Sequence, residues 1–259
     1  MYPPPAGGDT AGTMFVLFTD FGPAGPYVGQ MKAVLAQRAP SVPIVDLLSD
    51  APACDAQKSA YLLAALAPDF PVGSVFLAVV DPGVGGDRSP VVAEADGRRF
   101  VGPDNGLFDP LLRRAAEVRA WRITWSPDHL SATFHGRDLF APVAAMLANG
   151  EPVPGNETDV AALRRPDWPD DLAEVIYIDH FGNAMTGQRA SVVSPDTIVE
   201  AAGHRFTRAR TFSDVARGQP FWYENANGLV ELAVNGGRAD LLGLGTGSPV
   251  GLTRPVGQR

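Results

Sequence analysis

The residues best suited to chemistry stand at turns. Residues 79–88 read VVDPGVGGDR: an apolar run ends at Asp81, a glycine-rich turn follows, and Arg88 closes it. A phosphate loop of the GxxxxGK[ST] type needs a lysine after its glycines, and none is there. The dinucleotide fingerprint GxGxxG needs a glycine where Arg88 stands and a helix after it, whereas SPVVAEA reads as a strand. Two readings stay open: a tight turn with Asp81 closing a strand, or a bend that brings Asp81 and Arg88 into one small space. Polar residues at the carboxyl ends of strands in an open α/β sheet face the usual ligand crevice. Asp81 is so placed, and so is Asp20 in TDFG (19–22). Asp20 suits an Asx-type turn, or a sugar diol, since one carboxylate accepts from two adjacent hydroxyls.

Further along, FHGRDLFAP (134–142) puts His135 just before a helix and beside Gly136, which permits close approach of a ligand. A lone histidine serves structure as readily as function. Asn105 in GPDNGLF (102–108) reads as a cap or turn residue. In IDHFGNAMTG (178–187), Phe181 and Asn183 pair an aromatic face with an amide, a combination that suits a purine. YENANGLVELAVNGG (223–237) sets three asparagines around a strand.

These residues need elements to hold them. MFVLF (14–18), VPIVDL (42–47) and GSVFLAVVD (73–81) read as strands. Between them lie a helix opened by Gly25-Pro26, with Tyr27, Met31, Val34 and Leu35 on one face, and a helix capped by Asp55. Short strands near 90–94 and 99–102, a helix near 105–115, a strand near 118–123 and a helix near 137–149 complete an α/β domain with a central, largely parallel sheet. The expected boundaries are a flexible tail over 1–13, this domain over 14–150, a linker over 151–171 and a C-terminal β domain over 172–259. In the last, 173–179, 204–211, 220–224, 229–234, 240–244 and 249–253 read as strands of a small barrel-like domain.

Composition narrows the classes. With 21 basic against 29 acidic residues the net charge is −8, which argues against nucleic acid as a partner. A single cysteine, Cys54, excludes an intrachain disulfide framework and a cysteine-rich zinc site, and fits a reducing cytoplasm. No apolar run approaches the roughly 20 residues that span a membrane.

The ordered set TDFG, VVDPGVGGDRSP, GPDNGLF, FHGRD, IDHFGNAMT and ENANGLVELAVN, spread over about residues 14–253, resembles the S-adenosyl-L-methionine (SAM) hydroxide adenosyltransferases. These are adenosine-forming SAM hydrolases, relatives of the fluorinating and chlorinating SAM enzymes. The resemblance implies an N-terminal α/β domain, a C-terminal β-barrel-like domain, and a homotrimer whose active sites join the N-domain of one subunit to the C-domain of its neighbour. It implies attack of water or hydroxide on C5′ of SAM, with no metal or other cofactor. Asp81, Arg88 and His135 would hold the water and Asp20 the ribose hydroxyls. Phe181 and Asn183 would meet adenine, as would backbone near Val234 and Asn235. Asp179 would face the methionine ammonium and Asn225 the amino-acid end. Halide-using relatives carry tyrosine at the position of Asp81 and serine at that of Gly136, so this chain matches the water-using branch. It departs from the pattern at Ala226, where many hydrolases have serine, and at Cys54, a tryptophan in the fluorinating relatives.

The chemistry is reasonable. The sulfonium departs as a neutral thioether, so the nucleophile is the difficult partner: bulk water has a pKa near 15.7. Arg88, a permanent cation, would favour negative charge on the water, Asp81 would orient it, and His135 could accept or relay the proton. Two alternatives remain at this stage, a SAM-dependent halogenase and a SAM or adenosine binding module without turnover.

Overall fold

The structure, a computed structural model, describes residues 13–253, so the expected tail lies, Thr13 apart, outside the described residues. The chain divides into two compact units, one ending at Arg165 and one beginning at Pro166.

The first unit alternates strand and helix: β1 Phe15–Thr19, α1 Tyr27–Arg38, β2 Ile44–Leu48, α2 Ala56–Leu66, β3 Val75–Val79, β4 Pro90–Ala95, β5 Arg98–Pro103, α3 Asp109–Arg114, β6 Val118–Ile123, α4 Ala141–Ala148 and β7 Gly155–Thr158. They form one seven-stranded sheet in the order β2-β1-β3-β5-β4-β6-β7. It is parallel from β2 through β5 and antiparallel from β5 through β7. Strands β1 (FVLFT) and β3 (VFLAV) are buried along their whole length, as parallel strands covered on both faces must be. Phe15, Leu17, Leu77 and Val79 pack with Met31 and Leu35 of α1 and with Val143, Ala144 and Leu147 of α4. Each of the larger side chains contributes roughly 1.5–3 kcal/mol by leaving water. Asp55 caps α2, accepting from Lys58 N at 2.9 Å.

This packing places the carboxyl ends of β1 and β3 side by side, with Thr19 opposite Val79. Asp20 and Asp81 therefore emerge from neighbouring strands at one edge.

The second unit contains β8 Leu172–Ile178, β9 Ala184–Arg189, β10 Ile198–Ala201, β11 His204–Arg208, β12 Pro220–Glu224, β13 Leu229–Val234 and β14 Gly251–Thr253, ordered β14-β10-β11-β12-β13-β9-β8. A bridge between Glu174 and Pro249, with Val175 N donating to Ser248 O and Val250 N to Ala173 O, curls the sheet toward a barrel. Trp222, Phe206, Leu232 and Val230 fill its interior, and the Trp222 indole donates to Thr197 O at 2.8 Å.

Three expectations need correction. The segment 151–171 is not all linker, because β7 pairs with β6 at the sheet edge; its polar GNET sequence hid it. Residues 240–244 form a 3₁₀ turn, Asp240–Leu242, instead of a strand, stopped by Gly243 at φ +85°. Strands β9 and β10 were not anticipated: AMTGQR lacks an apolar run, yet four of its six residues are buried.

Candidate active site

The loop after β3 turns twice, with Val84 N donating to Asp81 O and Gly86 N to Gly83 O. Gly85 sits at φ +77°, and a Cβ there would lie 2.4 Å from the carbonyl oxygen of Ala132. Only glycine lets this loop touch the segment that leads into His135. The double turn folds Arg88 back onto Asp81. Arg88 Nε donates to both carboxylate oxygens at 3.0 Å and Nη2 donates to Oδ2 at 2.5 Å. Both side chains are nearly buried, 10% exposed for Arg88 and 4% for Asp81. The guanidinium also lies over the Phe140 ring at 5.3 Å.

Arg88 Nη2 is 2.8 Å from Nδ1 of His135 as well. A guanidinium has only donors, so Nδ1 must accept and the neutral ring carries its proton on Nε2. Burial, and then the Arg88 charge, hold the imidazole below its ordinary pKa, which keeps that neutral form at neutral pH. His135 directly precedes a π-helical turn, Gly136–Phe140, that runs into α4. A Cβ on Gly136 would meet Met31 Sδ at 3.0 Å and Phe134 at 3.3 Å, so glycine lets this turn pack closely.

Asp81, His135 and Gly136 line a cavity of about 250 Å³ together with Phe21, Tyr27 and Phe134. The three aromatic rings meet edge to face at centroid distances of 5.2–5.9 Å. They give the cavity an apolar lining beside Asp81 and His135. Asn105 supports the charged side: its Nδ2 donates to Val80 O at 2.8 Å and its Oδ1 accepts from Leu107 N. The turn residue is thus tied to the residue before Asp81. Asp20 accepts from Cys54 N at 2.8 Å; burial raises its carboxyl and that bond opposes the rise.

In the second unit the β8–β9 turn is held by Asp179, which accepts from Asn183 N at 2.8 Å and Asn183 Nδ2 at 3.0 Å. The Asn183 backbone carbonyl accepts from Asp179 N at 3.0 Å, and its side-chain Oδ1 has no hydrogen bond among the described residues. Phe181, at the tip, is 72% exposed. Asn225 is buried: its Oδ1 accepts from Asn227 N and Leu229 N, and its Nδ2 donates to Glu231 at 2.7 Å. Asn235 Nδ2 donates to Val215 O, and Val234 ends β13.

The structure thus brings Asp81, Arg88 and His135 together, with Asp20 on the adjoining strand end. Asp179, Phe181 and Asn183 share one turn; Asn225 and the Val234–Asn235 pair lie at opposite ends of β13. The sequence reading missed the aromatic wall and Glu231. The signal for Glu231 was one charged residue in the otherwise apolar strand LVELAV.

A mixed α/β domain in which a guanidinium ties together an acid and an imidazole that line one small cavity defines a protein of enzyme type. The SAM hydroxide adenosyltransferase N-terminal domain matches residues 15–156 and the C-terminal domain of the same name matches 173–251, so the chain belongs to that family. An (R)-S-adenosyl-L-methionine hydrolase of Thermus thermophilus is 44% identical, over 90% of this chain and 97% of its own. One from Salinispora tropica is 38% identical, over 94% and 99%. A crystal structure of an uncharacterized conserved protein from Thermotoga maritima superposes with a TM-score of 0.83 at 30% identity, over 93% and 100%.

Proposed function

We propose that this chain hydrolyses SAM to adenosine and L-methionine. The water oxygen bonds to C5′ of the ribose, the C5′–S bond breaks with its electron pair going to sulfur, and one proton is released. The observation that carries this reading is that Asp81 and His135 line one cavity and are joined by Arg88, in a chain of this family. The names of the curated relatives supply the substrate.

In this reading His135 holds the water as a donor. Its Nδ1 is occupied by Arg88, so its Nε2–H points to the water oxygen and a water hydrogen turns to the Asp81 carboxylate. The Arg88 charge favours negative charge on that oxygen. As the C–O bond forms, the bound hydrogens become strongly acidic, and the proton passes to Asp81 and on to solvent. The sulfonium needs no activation, so no metal or redox cofactor is called for. Asp20 accepts from the ribose hydroxyls, Phe181 stacks on adenine, and the Asn183 side-chain Oδ1 and the Val234–Asn235 backbone meet its edge. Asp179 faces the methionine ammonium and Asn225 the amino-acid end.

The assembly we infer is a homotrimer that works in the cytoplasm; light scattering of the purified protein tests the first part and cell fractionation the second. The functional test is incubation with SAM in chelator, with chromatography of the products. Equal amounts of adenosine and methionine are expected. Intact SAM after long incubation, or a halide-dependent 5′-halo-5′-deoxyadenosine, refutes the reading.

A further inference from the structure

Glu231 has no role in the steps above, and its surroundings are unusual. It lies in the middle of β13 and is 2% exposed. In register, Glu231 stands opposite Met185 on one side and Tyr223 on the other, and Met185 stands opposite Tyr177. Residues in one such row point to the same face of the sheet. Their neighbours Trp222 and Leu232 fill the barrel interior, so this row lies on the opposite face.

A buried carboxylate ordinarily has a cation beside it. Among the described residues Glu231 has none. It accepts instead from the Tyr223 hydroxyl, in a very short contact, and from Asn225 Nδ2 at 2.7 Å. The second bond fixes the direction of the Asn225 amide. With Oδ1 filled by the N–H groups of Asn227 and Leu229, that amide cannot turn over, and one Nδ2–H remains to be offered outward. Asp179, which follows β8, adds its negative charge to the surroundings of both Glu231 and Tyr223. The Asp179 charge also reaches Arg238, whose guanidinium is paired with Asp240, whereas Glu231 has no cation beside it among the described residues.

We propose that Glu231 is a positioning residue for the amino-acid end of the substrate. It locks Tyr223 and Asn225 in place and supplies behind them a negative charge that favours a ligand end bearing an ammonium group. The assignment rests on the SAM hydrolase reading and extends it to a residue that touches the ligand only through others.

The test compares three substrates with the full-length wild-type protein and Glu231→Gln at pH 8. They are SAM, its decarboxylated form, which keeps the ammonium, and the analogue whose α-ammonium is replaced by a keto oxygen. Glutamine fills the same space and can still bond Asn225, so the variant removes charge in preference to shape. KM for both ammonium-bearing substrates should rise about tenfold, the scale of one unit charge acting across a partly screened site. KM for the keto analogue should stay within about twofold and kcat within about threefold, bounds set by the absence of that charge contact. Glu231→Asp, which keeps the charge, should retain the ammonium preference and serves if the glutamine variant does not fold. Equal rises for all three substrates, a fall in kcat alone, or loss of the preference in Glu231→Asp would each overturn the proposal. Wild-type protein that releases no adenosine from SAM refutes the hydrolase reading itself. Turnover by wild type without any preference for the ammonium refutes only the role of Glu231.

Discussion

Removing the Arg88 side chain tests the centre of the site most directly. In Arg88→Ala, Asp81 loses three hydrogen bonds and the cation paired with it, and His135 loses its Nδ1 donor. Breaking a buried ion pair from one side costs about 3–5 kcal/mol of stability. For a unit of this size, each kcal/mol moves the melting temperature by about 2–4 °C, so a drop of roughly 6–20 °C is expected. The rate should suffer separately. A guanidinium about 4 Å from a developing negative charge is worth about 4 kcal/mol at an effective dielectric of 20, which corresponds to about a thousandfold in kcat. Arg88→Lys keeps a charge but loses the fork that grips Asp81 and His135 together, and should fall between, near a tenfold to hundredfold loss. The assay is adenosine release at saturating SAM, beside thermal melts followed by circular dichroism. If Arg88→Ala is folded at the assay temperature and keeps more than about a third of wild-type kcat, the assigned role of the guanidinium is wrong.

Other consequences are simpler to check. His135 is held neutral below its ordinary pKa, so kcat/KM should stay level from about pH 9 down to the ordinary histidine range near 6.5. It should fall only under that, and its stability contribution is likewise present above the unfolded pKa and lost as pH drops toward the folded one; a rate that falls between pH 8 and 7 contradicts this. Gly85→Ala forces a Cβ to 2.4 Å from the Ala132 carbonyl at φ +77°, which must part the loop of Arg88 from that of His135. A loss of at least about a hundredfold in kcat is expected, as for other displacements of about 1 Å at an active site, and normal kinetics would remove the link between the loops. Phe181→Ala should leave the melting temperature nearly unchanged, because the ring is 72% exposed and holds little of the fold. If the ring stacks on adenine, KM for SAM should rise about tenfold, the scale of about 1 kcal/mol or more for such stacking; an unchanged KM would show that it does not.

The parallel half of the first sheet was legible because burial on both faces imposes near-continuous apolar runs, as in FVLFT and VFLAV. Asp20 and Asp81 were legible for the same reason: each is the first acidic residue after such a run. Strand β7 was not, since an edge strand needs only one partner and tolerates GNET. Strand β9 was hidden because its buried positions include the polar Thr186 and Gln188; the Thr186 hydroxyl accepts from Gln188 N and donates to Val230 O on the neighbouring strand, a bond that only the paired sheet supplies. The contact between Arg88 and His135 spans 47 residues and depends on the close approach at Gly85, which no local pattern encodes.

That contact also decides what His135 is able to do. With its Nδ1 free, the imidazole would suit a general base, one of the roles the family resemblance leaves open to it. With Nδ1 accepting from a donor that never gives up its proton, the neutral ring carries its hydrogen on Nε2: it becomes an imidazolium only by taking a proton at Nδ1, and offers a lone pair at Nε2 only by moving its hydrogen to Nδ1, and either change loses the Arg88 bond. Its lowered pKa makes the first change unfavourable at neutral pH, and the buried guanidinium makes the second costly. In the proposed mechanism the arrangement therefore favours holding water in one orientation over removing its proton beforehand. Such a site suits a substrate that brings its own good leaving group. A sulfonium is one: its departure neutralises a charge, so a weakly activated but well-aimed oxygen is enough. On the same logic, substrates with poorer leaving groups at C5′, such as neutral thioethers of adenosine, should be bound without turnover, and release of adenosine from S-adenosylhomocysteine would show that the site does more than aim.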